Sequence, residues 1–193
     1  MIAALFALAL QAAGPAVAGP YLPAPTAAPA LTISQAKADY FDAARKGRID
    51  VIDALLKAGA PINARDERGY TALVLAAYND QPAMVEFLLI HGADACLGDS
   101  KGNTAQMGVA YQGYDDIAKR LLAAKCDVNQ ANGEGHSALM MAALFGRTHQ
   151  IDLLLARGAD PARHDASGHT AAQLAAAQGN AALSARLSGA PVR

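Results

Sequence analysis

The sequence predicts an all-α solenoid of about five stacked helix–turn–helix units, and three observations predict it. Gly69, Gly102, Gly135 and Gly168 stand 33 residues apart, with Thr71, Thr104, Ser137 and Thr170 two positions on and Ala72, Ala105, Ala138 and Ala171 directly after. Leu55, Leu88, Leu121, Leu154 and Leu187 form a second column at the same interval. Hydrophobic residues make up 53% of the chain but aromatics only 5%, with no Trp, so the apolar content is mostly Ala and Leu, which suits short, closely packed helices. A fixed period of this length marks a stacked-repeat architecture.

The first element is charge-free. No Asp, Glu, Lys or Arg precedes Lys37, and Ile2 to Leu10 is an unbroken apolar run of nine. That is far short of the roughly 20 residues a spanning helix needs and fits the apolar region of a secretory signal. Ala16-Val17-Ala18 supplies the small residues of a cleavage site. We expect a signal peptide over 1–18, cut after Ala18, and export, with a bacterial periplasm as the destination. The segment before the apolar run carries no Lys or Arg. This leaves two alternatives open: a start lying upstream, or an uncleaved anchor that would make the chain a membrane-anchored adaptor. Residues 19–31 read as a Pro/Ala-rich linker. The repeat domain is expected over 32–188, with no stable membrane insertion after cleavage.

The repeat domain divides into units 36–68, 69–101, 102–134, 135–167 and 168–188. The first lacks the Gly-x-Thr opening and reads as an N-terminal cap, with Thr32 and Gln35 as a capping box. In the others, the hydroxyl of Thr71, Thr104, Ser137 or Thr170 is placed to cap a short Ala-rich helix such as "ALMMAALFG". Ala76, Ala77, Ala142, Ala143, Ala175 and Ala176 let neighbouring helices approach closely. Gly47, Gly113, Gly146 and Gly179 end that helix in a left-handed residue; Asp80 takes the place in one unit and tolerates the same conformation. A second helix follows, written "VIDALL", "MVEFLL", "IAKRLL" or "QIDLLL", with its apolar residues at helical spacing. Gly59, Gly92 and Gly158 end it; Lys125 breaks that column, at a cost of about 1 kcal/mol if it takes a positive φ. A turn-rich stretch such as "ADPARHDASG" leads on. Arg186 and Ser188 give the last unit the polar outer face a terminal cap requires. No unit buries its own faces alone; stacking does so, with each interior Leu contributing about 2 kcal/mol.

The stretches "GYTALVLAA", "GHSALMMAALFGR" and "IDLLLARGADP" resemble the ankyrin repeat family, whose pattern is G-x-T-P-L-H-x-A-A-x-x-G and L-L-x-x-G-A-D. The resemblance runs from Ala36 to Arg186. It implies an ankyrin-type solenoid with projecting β-turns and a shallow concave face that binds other proteins. Two departures stand out. The family's Pro is Ala in every full unit. Its His is Val74, Met107, Met140 and Gln173, so apolar packing is expected to replace the usual His–Thr hydrogen bonding.

Little points to chemistry. A net charge of −1 and a pI near 6.5 offer no basic stripe for nucleic acid. His164, Asp165 and His169 lack a nucleophile and an oxyanion-hole motif, and read as solvated turn residues. His136 and His169 occupy the same phase on neighbouring turn tips, expected to lie too far apart to share a metal. Asp115 and Asp116 suit a helix N-terminus. "GVAYQGY" has no phosphate-loop pattern, and Met107 and Met140 read as core. No catalytic residue, metal or cofactor is expected. The reading is a monomeric, non-enzymatic protein-binding module. Its alternative is a structural or protective periplasmic protein without a specific partner.

Cys96 and Cys126 fall in the same inter-unit loop layer. Equivalent atoms of stacked units lie about 10 Å apart, beyond the roughly 7 Å limit for bridged Cα atoms, so the three-residue offset between the two has to close the gap. A disulfide or two small buried thiols remain open. The resemblance also implies which side chains face the concave side: the residue after each turn Gly, and the two before the glycine that ends the first helix. These are Tyr70, Asn103, His136 and His169 at the turns, and Tyr78, Asn79, Tyr111, Gln112, Leu144 and Phe145 on the helices. All of these except His169 are the candidate partner-binding residues, centred on Tyr78 and Tyr111. Four of the chain's six Tyr and four Phe fall among them.

Overall fold

Thr71, Thr104, Ser137 and Thr170 stand in extended backbone, and each side-chain oxygen accepts a hydrogen bond from the amide three residues on, at Val74, Met107, Met140 and Gln173. These caps set the start of every first helix from the second unit onward. A computed structural model describes residues 33–189. The expected signal peptide, cleavage site and linker, and the Thr32 half of the N-terminal capping box, lie outside the described residues.

Ten helices pair along the described residues: α1 (Ile33–Lys46) with α2 (Ile49–Lys57), α3 (Ala72–Tyr78) with α4 (Pro82–Ile90), α5 (Ala105–Gln112) with α6 (Asp115–Leu121), α7 (Ala138–Leu144) with α8 (Thr148–Ala156), and α9 (Ala171–Ala177) with α10 (Ala181–Leu187). The first helices stack in one row, α1 on α3, α3 on α5, α5 on α7 and α7 on α9. Ala makes this possible: Ala76, Ala77, Ala142, Ala143 and Ala175 are buried at the contacts, and small side chains shorten the distance between helix axes. In the second row α6 packs on both α4 and α8. Leu73, Leu88, Leu139 and Leu154 are buried in the resulting core, each worth about 2 kcal/mol of burial. Val74, Met107 and Met140, which stand where the family has His, are buried as well. Gln173 differs: its Oε1 accepts from the Thr170 amide at 2.8 Å and completes a capping box at the head of α9.

Asp80 adopts φ +53° at the end of α3, as its place in the glycine column predicts. Lys125 does not follow. Asp80 is the one non-glycine with positive φ among the described residues. Instead α6 stops at Leu121, and the Ala123 and Ala124 amides turn back to the Arg120 and Leu121 carbonyls. The chain avoids a left-handed lysine by giving up the end of the helix.

The projecting turns are built on a column that the sequence reading overlooks. Asp66, Asp99, Asn132 and Asp165 recur every 33 residues. Each Oδ1 accepts two backbone amides, two and four residues on, at 2.8–3.0 Å. Successive turns join through backbone bonds: the Ser100 amide donates to Arg68 O, Gly133 to Lys101 O and Ala166 to Glu134 O. Glycine is required here twice over. Gly69 and Gly135 have φ +80° and +79°, and a Cβ on either would lie 2.6 Å from the next turn's amide nitrogen.

A second bridge crosses between units. Asn63 Oδ1 accepts from the Asp94 amide at 2.9 Å, and Asn129 Oδ1 from the Asp160 amide at 2.8 Å. At the junction between them the same position is Cys96. Its Sγ lies 2.07 Å from that of Cys126, at disulfide distance, with the Cα atoms 5.4 Å apart. The offset closes the gap that simple stacking leaves.

Gln106 is the irregular core position. Its column holds Leu73 and Leu139, both buried. The Gln106 Oε1 and Nε2 are buried without a hydrogen-bond partner among the described residues, beside a cavity of about 350 Å³ that also touches Cys126, Asp127 and Arg157.

Candidate functional site

The row of first helices ends, on one face, in a row of rings. Tyr78 is the last residue of α3, Tyr111 sits one residue from the end of α5, and Phe145 caps α7. Because α3, α5 and α7 stack in register, the rings meet. Tyr78 and Tyr111 lie 6.2 Å apart, centroid to centroid, and 13° from parallel; Tyr111 and Phe145 meet edge to face at 4.4 Å. They remain accessible, at 45%, 37% and 41% exposure for Tyr78, Tyr111 and Phe145. Partial burial, with the Tyr111 and Tyr70 phenols nearby, raises the Tyr78 pKa above the usual tyrosine range.

Beside this row runs a groove of about 930 Å³. Of the residues expected on the concave face, it brings together Tyr70, Tyr78, Asn79, Asn103 and Tyr111. Tyr70 is half-buried and packs partly onto the core. Asn79 turns its amide onto the Leu75 carbonyl at 2.8 Å, and Asn103 is fixed between Asp99 and Asn132. Phe145 joins through its contact with Tyr111. Gln112, His136 and Leu144 are not among the groove-lining residues. His136 points elsewhere: its Nε2 lies 3.4 Å from Asp165 Oδ2 in the next turn, and its ring is one-fifth exposed.

Three features of the groove have no counterpart in the sequence reading. Gly108 lies under the Tyr78 ring, and a Cβ there would stand 3.2 Å from Tyr78 Cδ2. Its column reads Leu75, Gly108, Met141 and Leu174, so a glycine inside a helix at a column of large residues was the available signal. Met141 supplies apolar floor, and Arg147 Nε donates to the Tyr111 carbonyl at 3.1 Å, holding the end of α5. The rim by the first unit carries both charges, with Arg45 and Asp66 3.3 Å apart.

The turn residues require one correction, at Asp165. His136 Nε2 and His169 Nδ1 each lie 3.4 Å from the same Asp165 oxygen. Asp165 itself is buried rather than solvated. The His169 amide, then the Ser167 amide, hold its carboxyl below the usual range against the opposing effect of burial. That carboxylate is committed to its turn. Among the described residues no group of three or more His, Cys, Asp or Glu is arranged to hold a metal ion.

Comparison with known proteins agrees with this architecture. A family model described as ankyrin repeats in three copies matches residues 40–130 and again 106–187. An ankyrin repeat domain-containing protein SAT10 of Stachybotrys chartarum is 50% identical over 48 residues, which is 25% of this chain and 2% of that protein. The match thus spans a small fraction of the relative's length and carries the repeat alone.

Proposed function

The chain belongs to the ankyrin repeat family, whose repeats generally mediate protein–protein binding, and on that premise we propose that it is an exported, non-enzymatic module that binds a partner protein on its concave face. The observation that carries this reading is the run of exposed rings at Tyr78, Tyr111 and Phe145 beside the 930 Å³ groove. Exposed aromatics in a row are unusual in a chain with so few. Tyr gives large contact area at low entropic cost and keeps a hydrogen-bonding tip, which is what a binding hot spot uses. Asn79, Asn103 and the mixed charges near the first unit supply the polar rim.

Export is supported by the charge-free start, the nine-residue apolar run and Ala16-Val17-Ala18. A cysteine pair at disulfide distance fits an oxidising compartment. No helix among the described residues is long and apolar enough to cross a membrane.

The test is affinity capture from the periplasmic fraction, run in parallel with the wild-type chain and a Tyr78→Ala/Tyr111→Ala variant. A protein captured saturably by the first and lost by the second supports the reading. Absence of any saturable partner favours the structural or protective role. Intact mass of the chain from its native host tests export: a soluble cytoplasmic species retaining residues 1–18 would contradict it.

A further inference from the structure

Three successive junctions are bridged at one position of the repeat. The first uses Asn63 and the Asp94 amide, the third Asn129 and the Asp160 amide. The second has no asparagine, and Cys96 takes the place, reaching Cys126 of the next unit. That unit is also the irregular one. α6 ends early at Leu121, Lys125 stands where Gly ends the equivalent helix elsewhere, and Gln106 leaves an unpaired amide beside a cavity bordered by Cys126. Its apolar residues are split between two core clusters, with Val109, Ile117 and Leu121 in one and Met107 and Ala110 in the other. The junction so bridged is also the one across which Tyr78 and Tyr111 stack.

We propose that Cys96 and Cys126 form a thiol–disulfide exchange site that locks the junction between the second and third units, and with it the spacing of Tyr78 and Tyr111. Both cysteines are half-buried rather than sealed in the core, and Cys126 lines the neighbouring cavity. The chemistry balances without a cofactor. A dithiol attacks one sulfur as its thiolate, the S–S bond breaks, and the mixed disulfide is resolved by the second thiol. The chain gains two electrons and two protons as two thiols, and the dithiol leaves as its own disulfide. What remains across the junction includes the Gln130 side chain on the Cys96 carbonyl, the Gly133–Lys101 backbone bond, the Arg120–Glu86 ion pair and the helix contacts. The reduced junction therefore loosens without coming apart. This goes beyond partner binding and holds whether or not the groove has a partner.

The repeat itself supplies the control. Cys96→Asn with Cys126→Ala writes the asparagine bridge of the flanking junctions, at Asn63 and Asn129, into the one between them. Hydrogen–deuterium exchange is followed on the full chain, oxidised and in dithiothreitol, and on that variant in both conditions. A Cys96→Ser/Cys126→Ser variant stands in for the reduced state. Reduction and the serine variant should speed exchange over residues 104–128 about tenfold, leaving residues 138–177 unchanged. Tetranitromethane, which also oxidises thiols and is therefore applied to the serine variant without dithiothreitol, should nitrate Tyr78 and Tyr111 there severalfold faster than in the oxidised chain. The asparagine variant should exchange slowly with or without dithiothreitol. Equal exchange before and after reduction would overturn the proposal. So would loss of protection spread evenly over all units, or an asparagine variant as fast as the reduced chain.

Discussion

The Tyr78 ring lies over Gly108, and a single added carbon there would come within 3.2 Å of Cδ2 of that ring. The pair couples two units. Tyr78 ends α3 while Gly108 lies inside α5, so a missing side chain on one helix seats an aromatic from its neighbour. Seated there, Tyr78 faces Tyr111 at 6.2 Å, inside the 4.5–7 Å range that aromatic pairs favour.

Gly108→Ala separates helix stability from groove shape. Alanine favours a helix over glycine by up to about 1 kcal/mol, and the half-exposed Tyr78 ring can move to make room. Thermal unfolding should shift slightly upward while nitration of Tyr78 increases. A clear fall in melting temperature would mean the ring is held more firmly than its exposure indicates.

Gln106→Leu writes the column residue back into the core. It removes a buried, unpaired donor and acceptor and restores the residue found at Leu73 and Leu139. Urea denaturation should show a gain of about 1–3 kcal/mol. A loss would show that the cavity holds water that satisfies the amide.

Asp165→Asn bears on acid stability. The Asp165 carboxyl is held below its usual pKa by the His169 and Ser167 amides. Its charged form therefore stabilises the fold fully above the ordinary carboxylate pKa of about 3.9, and this is lost as pH falls through the lower folded value. Asparagine keeps the acceptor, as Asn132 does in the preceding turn, but has no charge to lose. A melting-temperature gap in favour of wild type at pH 7 should shrink as pH is lowered to about 3. A gap that stays constant would mean ionisation plays no part.

Counting thiols on denatured, unreduced protein checks the cysteine pair. With the Cα atoms 5.4 Å apart, the expected result is no free thiol. Two free thiols would refute the bond.

The repeat is legible in the sequence because every informative residue is written several times. One hydroxyl residue before an Ala-rich stretch is a weak signal; three Thr and one Ser in register fix four helix starts. Asp80 is legible for the same reason, since its column shows what backbone it must adopt. Lys125 is harder, because a residue that does not fit a column can either strain or displace the structure, and only the fold itself shows that α6 shortens.

The site is less legible where it depends on distances between units. Tyr78, Tyr111 and Phe145 are picked out by their phase in the repeat together with the face that the resemblance implies. The meeting of His136 and His169 at Asp165 does not, because it depends on how closely the turns stack. The closeness of Cys96 and Cys126 depends likewise on the path of a loop. The column of Asp66, Asp99, Asn132 and Asp165 was readable and passes unnoticed beside the louder Gly and Thr columns. Gly108 and Gln106 carry their meaning as departures, each replacing a large apolar residue where the groove or the core needs something else.

Titration calorimetry of the captured partner protein against the wild-type chain and the Tyr78→Ala/Tyr111→Ala variant, with thermal unfolding of both, tests the binding surface most directly. The account predicts binding weaker by about 2 kcal/mol or more, roughly 30-fold, with unfolding nearly unchanged because both rings are substantially exposed. Equal affinity in a variant that unfolds like the wild type would contradict it and place the binding surface elsewhere on the chain.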